Sequence, residues 1–83
     1  MEKRIRINLM IMRTEKQNTL LKLNDHLNSV RNKIESLQSK VDNSEVLYES
    51  DGLQGNAVFI DTCISKLIVY DRAIAQYKEL LSE

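Results

Sequence analysis

From Leu20 onward the apolar residues fall at Leu20, Leu23, Leu27, Val30, Ile34, Leu37 and Val41, with spacings of three and four in strict alternation. That is a heptad seam, and it commits the chain to a long helix packed lengthwise on another helix. A strand would need period two, which is absent here. A second seam, Ile60, Cys63, Leu67, Tyr70, Ile74, Tyr77 and Leu81, repeats the spacing. Beside it runs a further stripe, Ala57, Ile64, Ile68 and Ala75. The apolar face of the second helix is therefore wider than one partner helix covers.

Between the seams, Ser50-Asp51-Gly52-Leu53-Gln54-Gly55-Asn56 holds both glycines of the chain, together with Asp and Asn. These residue types best tolerate left-handed backbone, so this is the one clear turn. The pattern predicts an all-α fold in a single domain over 1–83. It is an antiparallel, coiled-coil-like two-helix hairpin with a helix over about 8–48, a turn at about 49–55 and a helix over about 56–82. Helix one, at ~1.5 Å per residue, would be ~60 Å long. The segment Arg4-Ile5-Arg6-Ile7-Asn8-Leu9 alternates polar and apolar, which predicts an extended lead-in over 1–7. Yet Ile5, Leu9 and Met12 also fit a helical stripe. Asn8 would cap a helix that starts early, and Thr14 with Gln17 one that starts late. With the early start, Lys16 interrupts the seam and the step to Leu20 is a stutter. Asp51 with Gln54, or Asn56 alone, would cap the second helix. Glu2–Arg6, Arg31–Glu35 and Lys22–Asp25 are spaced to pair along the first helix.

At 83 residues the chain is one small domain, and a domain of this size needs a staple. One Cys and one His give neither an internal disulfide nor a zinc site. No cofactor is implied. The staple left is oligomerisation, so the hairpin is expected to be completed by a partner. The formal net charge is zero, with 12 basic and 12 acidic side chains. It hides a split of +5 over residues 1–40 and −5 over 41–83, which predicts a basic first helix folded back along an acidic second one.

Several function classes recede on the same residues. His26 is the only candidate general base, and it reads as a solvated flank residue beside Leu27. Cys63 falls on a seam and reads as a small hydrophobe. The carboxylates are spread out without convergent pairs, and no phosphate-binding glycine loop is present. An enzyme is not expected. The basic residues are scattered and interleaved with Glu2, Glu15, Asp25 and Glu35, which does not fit nucleic-acid recognition. Leu9–Met12 is too short for the core of a secretory signal peptide. Nothing approaches the ~20 apolar residues of a membrane span.

Two antiparallel helices joined at Leu53-Gln54-Gly55 resemble the Trp-x-Gly (ESX-type) family of type VII secretion. With Leu in place of Trp, the motif is the Leu-x-Gly for which the related LXG toxin domains are named. Leu53-Gln54-Gly55-Asn56-Ala57 resembles the family's Gly-x-Ala opening of helix two, and Ile5-Arg6-Ile7-Asn8 its short extended start. The turn motif is thus Leu53, Gly55 and Ala57, with Gly55 allowing tight backbone between the helices. The chain departs from the family in its missing Trp. It also lacks a Tyr-x-x-x-Asp/Glu export signal, since Gly52, Ile74 and Leu81 stand four after its tyrosines. A full LXG domain is much longer, so the chain is similar to the small helical accessory proteins that bind LXG effectors. The resemblance implies a non-enzymatic targeting chaperone, cytoplasmic or exported with its cargo, whose partner is the effector's LXG-type domain.

The expected partner-binding face is that of helix two: Ile60, Ile64, Leu67, Ile68, Ile74 and Leu81. The alternative is a homodimer or other homo-oligomeric coiled-coil adaptor or regulatory protein. A nucleic-acid binder is the third class, and no membrane span is expected.

Overall fold

The computed structural model describes residues 1–82. It is a helical hairpin 63 × 14 × 14 Å in extent. Helix α1 runs Glu2–Asp42, a single 3-10 turn occupies Glu49–Asp51, and helix α2 runs Gln54–Leu80. No strand occurs among the described residues.

The first seven residues are helical, not extended: α1 begins at Glu2. The alternation of Arg4 to Leu9 is real, but helical geometry uses it differently. Ile5 and Leu9 stand one turn apart on the packed face, and Leu9 is 3 % exposed while Ile7 points outward. Burial of that stripe outweighs the strand-like pattern. Glu2 and Arg6 pair at 3.1 Å as their spacing predicts. Neither Asn8 nor Thr14 caps anything, since both lie inside α1. The Thr14 hydroxyl instead donates to the carbonyl of Met10 at 3.0 Å.

Nor is there a stutter on the packed face. Along its centre run the buried and half-buried residues Ile5, Leu9, Met12, Lys16, Thr19, Leu23, His26, Val30, Lys33, Leu37 and Lys40, with half-buried Asn8 and Ser29 at its border. The central spacings alternate four and three from end to end. Lys16, Thr19 and His26 thus face α2, and Lys33 and Lys40 face the returning segment 43–53, where Leu20, Leu27, Ile34 and Val41 were expected beside Leu23, Val30 and Leu37. The α2 seam is the one read from the sequence: Cys63 and Ile74 are buried, and Ile60, Leu67, Tyr70, Tyr77 and Leu81 are half-buried.

Three cross-helix contacts fix the register. Lys16 Nζ lies 2.6 Å from Asp71 Oδ1. The rings of His26 and Phe59 stack with centroids 5.1 Å apart and planes 5° from parallel. The Asn56 amide donates to Ser29 Oγ at 3.3 Å. At the open end, Leu80 and Leu81 line a groove with Met1, Glu2 and Ile5. With 41 residues against 27, α1 therefore overhangs α2 by roughly ten residues at ~1.5 Å each.

Residues 43–53 return along that overhang, so the connection starts earlier than the predicted turn at about 49–55. The α1 terminus explains why. The N–H of Ser44 donates to Val41 at 3.1 Å and that of Glu45 to Lys40 at 2.8 Å, with Ser44 left-handed at φ 54°. This is a Schellman stop built on serine, where glycine is the usual choice. No glycine has positive φ, so the turn's left-handed residue is Ser44 and not one of the glycines. Leu53 stands at the N-cap of α2 without a side-chain cap. Asp51 and Asn56 make other bonds and do not cap it.

Candidate docking surface

The phase of α1 decides the surface. Because Lys16, Thr19 and His26 turn toward α2, and Lys33 and Lys40 toward the connector, the stripe next to them turns out. Leu20, Leu27, Ile34 and Val41 are 39–56 % exposed. These four were expected inside the hairpin. The cue to their position was the phase of Ile5, Leu9 and Met12, which a continuous helix must carry forward to the packed positions 16, 19 and 23.

The same edge of the hairpin holds part of α2. Leu20 lies one turn along from Lys16, and Ile64 two turns back from Asp71. The Lys16–Asp71 pair therefore places both stripes along one edge. On α2 that edge carries Ala57, Ile64 and Ile68, with Ile64 43 % and Ile68 49 % exposed. The opposite edge is marked by His26–Phe59 and Asn56–Ser29, and on α1 it is polar: Glu15, Lys22, Ser29 and Ser36. The hairpin thus has one apolar edge and one mixed edge.

The residues singled out on α2 divide accordingly. Ile60, Leu67, Ile74 and Leu81 pack toward α1, while Ile64 and Ile68 face outward. In the turn motif, Leu53 is half-buried, whereas Gly55 and Ala57 are exposed. A Cβ on Gly55 would meet nothing within 4 Å, so the hairpin itself has no need of a glycine there. His26 is half-buried against Phe59, which replaces its reading as a solvated flank residue. Cys63 is a buried free thiol on the seam.

The charge split is also redistributed. Counted over the elements, α1 carries +4 and residues 43–53 carry −3, while α2 is neutral. The acidic partner of the basic helix is therefore mainly the connector. Lys40 Nζ lies 2.8 Å from Asp51 Oδ1 and 5.7 Å from the centre of the Tyr48 ring. The hydrogen bond from Lys40 holds the Asp51 carboxyl below the usual aspartate range, aided by the Tyr48 N–H. The same bond holds Lys40 above the usual lysine range. The half-buried seam lysines Lys16 and Lys40 lay their stems against the packed face and their ammonium groups reach carboxylates at its rim.

The amount of surface left open is large. A compact monomer of 9.6 kDa exposes ~5100 Å² by the usual scaling. This chain exposes 6527 Å², and among the described residues no side chain is less than 2 % exposed. Among the described residues, no group of three or more His, Cys, Asp or Glu is placed to hold a metal. No helix there is long and apolar enough to cross a membrane. No known protein family matches the chain, and neither does any curated protein or solved structure.

Proposed function

We propose that the protein is a non-enzymatic docking module whose hairpin binds a helical partner protein. We further propose that this partner is the LXG-type helical domain of a type VII secretion effector, which the hairpin escorts from the cytoplasm to the export machinery. The observation that carries the docking role is the apolar edge, Leu20, Leu27 and Ile34 of α1 beside Ala57, Ile64 and Ile68 of α2. An apolar strip of that length on so small a chain is what a second pair of helices buries.

Two features support the choice of partner: the hairpin architecture and Leu53-Gln54-Gly55 at the start of α2. Gly55 adds a physical reason. Glycine weakens a helix, and nothing inside this hairpin requires it. A side-chain-free position at the head of α2 leaves room for a partner's backbone to approach.

Co-expression with LXG-type domains encoded near its gene tests the proposal. The wild-type hairpin should co-purify with such a domain, and Leu27→Lys or Ile64→Lys should abolish the complex. Val69→Lys, on the far face of α2, should not. Failure of the wild-type hairpin to bind any of those domains overturns the secretion reading.

A further inference from the structure

We propose that the outer face of α1 over residues 3–13 docks on an anionic lipid surface, lying flat on it with α2 held on the far side. This face is separate from the apolar edge, so its occupation needs no effector.

The helical pattern sets the face. The packed side of α1 passes through Ile5, Leu9, Met12 and Lys16. Farthest around the helix from that side stands Ile7, with Lys3 and Met10 beside it on one flank and Arg4 and Ile11 on the other. Ile7 is 45 %, Met10 61 % and Ile11 46 % exposed. Hairpin packing gives no reason for apolar side chains there, because α2 lies across the helix from them. Farther along α1 the same face is what a solvated helix shows. It reads Thr14, Gln17, Asn18, Asn24, Asp25 and Asn28, all exposed, with Leu21 the one apolar exception. The apolar cluster is therefore a local departure at one end of an otherwise polar face.

Charge identifies the occupant. Lys3 and Arg4 are exposed on the face itself, one turn before Ile7 and Ile11. Arg6 and Arg13 border it on the side of Met10. Residues 2–13 hold four bases and one acid, Glu2, which pairs with Arg6. The first acid on the face is Asp25. Bases around a compact apolar cluster on a helix are what a membrane-surface helix presents. The apolar side chains enter the boundary between headgroups and acyl chains, while the long basic side chains reach back to the anionic headgroups. Nucleic acid would satisfy the bases but offers Ile7 and Ile11 no apolar surface to bury against. The outside of a single helix is convex, so it meets a plane along its length. A few apolar residues and a few bases are each weak anchors, and together they give reversible docking.

Flotation of the purified chain with vesicles tests the proposal, comparing phosphatidylcholine alone with phosphatidylcholine carrying ~30 % phosphatidylglycerol. The chain should float with the anionic vesicles only, and rising salt should release it. Lys3→Gln with Arg4→Gln should weaken binding by ~10-fold or more. Ile7→Gln with Ile11→Gln should do the same. Both variants should retain their helicity by circular dichroism. Lys66→Gln with Arg72→Gln removes the same charge from α2 and should leave binding unchanged. So should Leu27→Gln on the apolar edge, which separates this proposal from the effector complex. The chain has no tryptophan, so Met10→Trp reports insertion. Its fluorescence should shift to the blue on anionic vesicles, whereas that of Val69→Trp, on the outer side of α2, should not. Absence of flotation with anionic vesicles at low salt overturns the proposal, as does equal flotation with both kinds. A blue shift at Val69→Trp and none at Met10→Trp overturns the face. If Ile7→Gln with Ile11→Gln leaves vesicle binding intact and duplex DNA binds as tightly, the patch is a nucleic-acid contact and the membrane reading falls.

Discussion

Lys40 and Asp51 clamp the connector to the overhanging end of α1, with Nζ 2.8 Å from Oδ1. The second carboxylate oxygen of Asp51 accepts the Tyr48 N–H at 2.8 Å, so one side chain both holds the 3-10 turn and ties it to the helix. Substituting Asp51 by Ala should speed amide hydrogen exchange across residues 48–52 and leave the helical content unchanged. Unchanged exchange there would mean that the clamp does not order the connector.

The same pair sets a pH window. Asp51 is held below its ordinary range, so its contribution is full above that range and fades as pH falls through its lowered value. Lys40 is held above its ordinary range, so its contribution is full below that range and fades as pH rises through its raised value. Exchange rates over residues 48–52 should therefore show constant protection between the two ranges, after correction for intrinsic exchange, and lose it at both extremes. Lys40→Met should abolish the alkaline loss.

Ser44 adopts φ 54° at the end of α1, a conformation that costs a residue with a Cβ about 1 kcal/mol. Ser44→Gly should stabilise the hairpin by ~0.5–1 kcal/mol in thermal or denaturant unfolding. A loss of stability would show that the serine side chain has a role in the stop beyond its backbone.

Gly55 sits in the first turn of α2 with open space where a Cβ would go. Gly55→Ala should raise the stability of the hairpin by ~0.5–1 kcal/mol. If the proposed docking is right, the same substitution should weaken co-purification with the LXG-type domain. Stability and binding then move in opposite directions, which a purely structural role for the glycine does not give.

Ile74 and Ile68 are both on α2 but face different neighbours. Ile74 is 9 % exposed, whereas Ile68 is 49 % exposed. At dilution sufficient to hold the chain monomeric, Ile74→Ala should cost ~2–4 kcal/mol and Ile68→Ala under ~1 kcal/mol. Equal losses would show that Ile68 is covered within the hairpin itself.

The α2 seam was legible in full because its apolar residues occupy every packed position from Ile60 to Leu81. The α1 seam was legible only in part. Leu23, Val30 and Leu37 belong to both the packed face and the exposed stripe as read, so their spacing alone accepts either rotation of the helix. The connector was misplaced because glycine signals a turn more loudly than serine does, and here Ser44 makes the stop. The clamp of Lys40 and Asp51 joins residues eleven apart through a loop, where no periodicity announces a contact.

What the sequence determined by itself is periodicity: two long helices and one break. Three-and-four spacing is a local property of helical geometry, and no partner is needed to read it. What the tertiary structure decided is phase. Because α1 runs unbroken from Glu2 to Asp42, burying Ile5, Leu9 and Met12 fixes its rotation throughout. That rotation carries Thr19 and His26 inward and leaves Leu20, Leu27 and Ile34 on the edge where a second pair of helices can meet them.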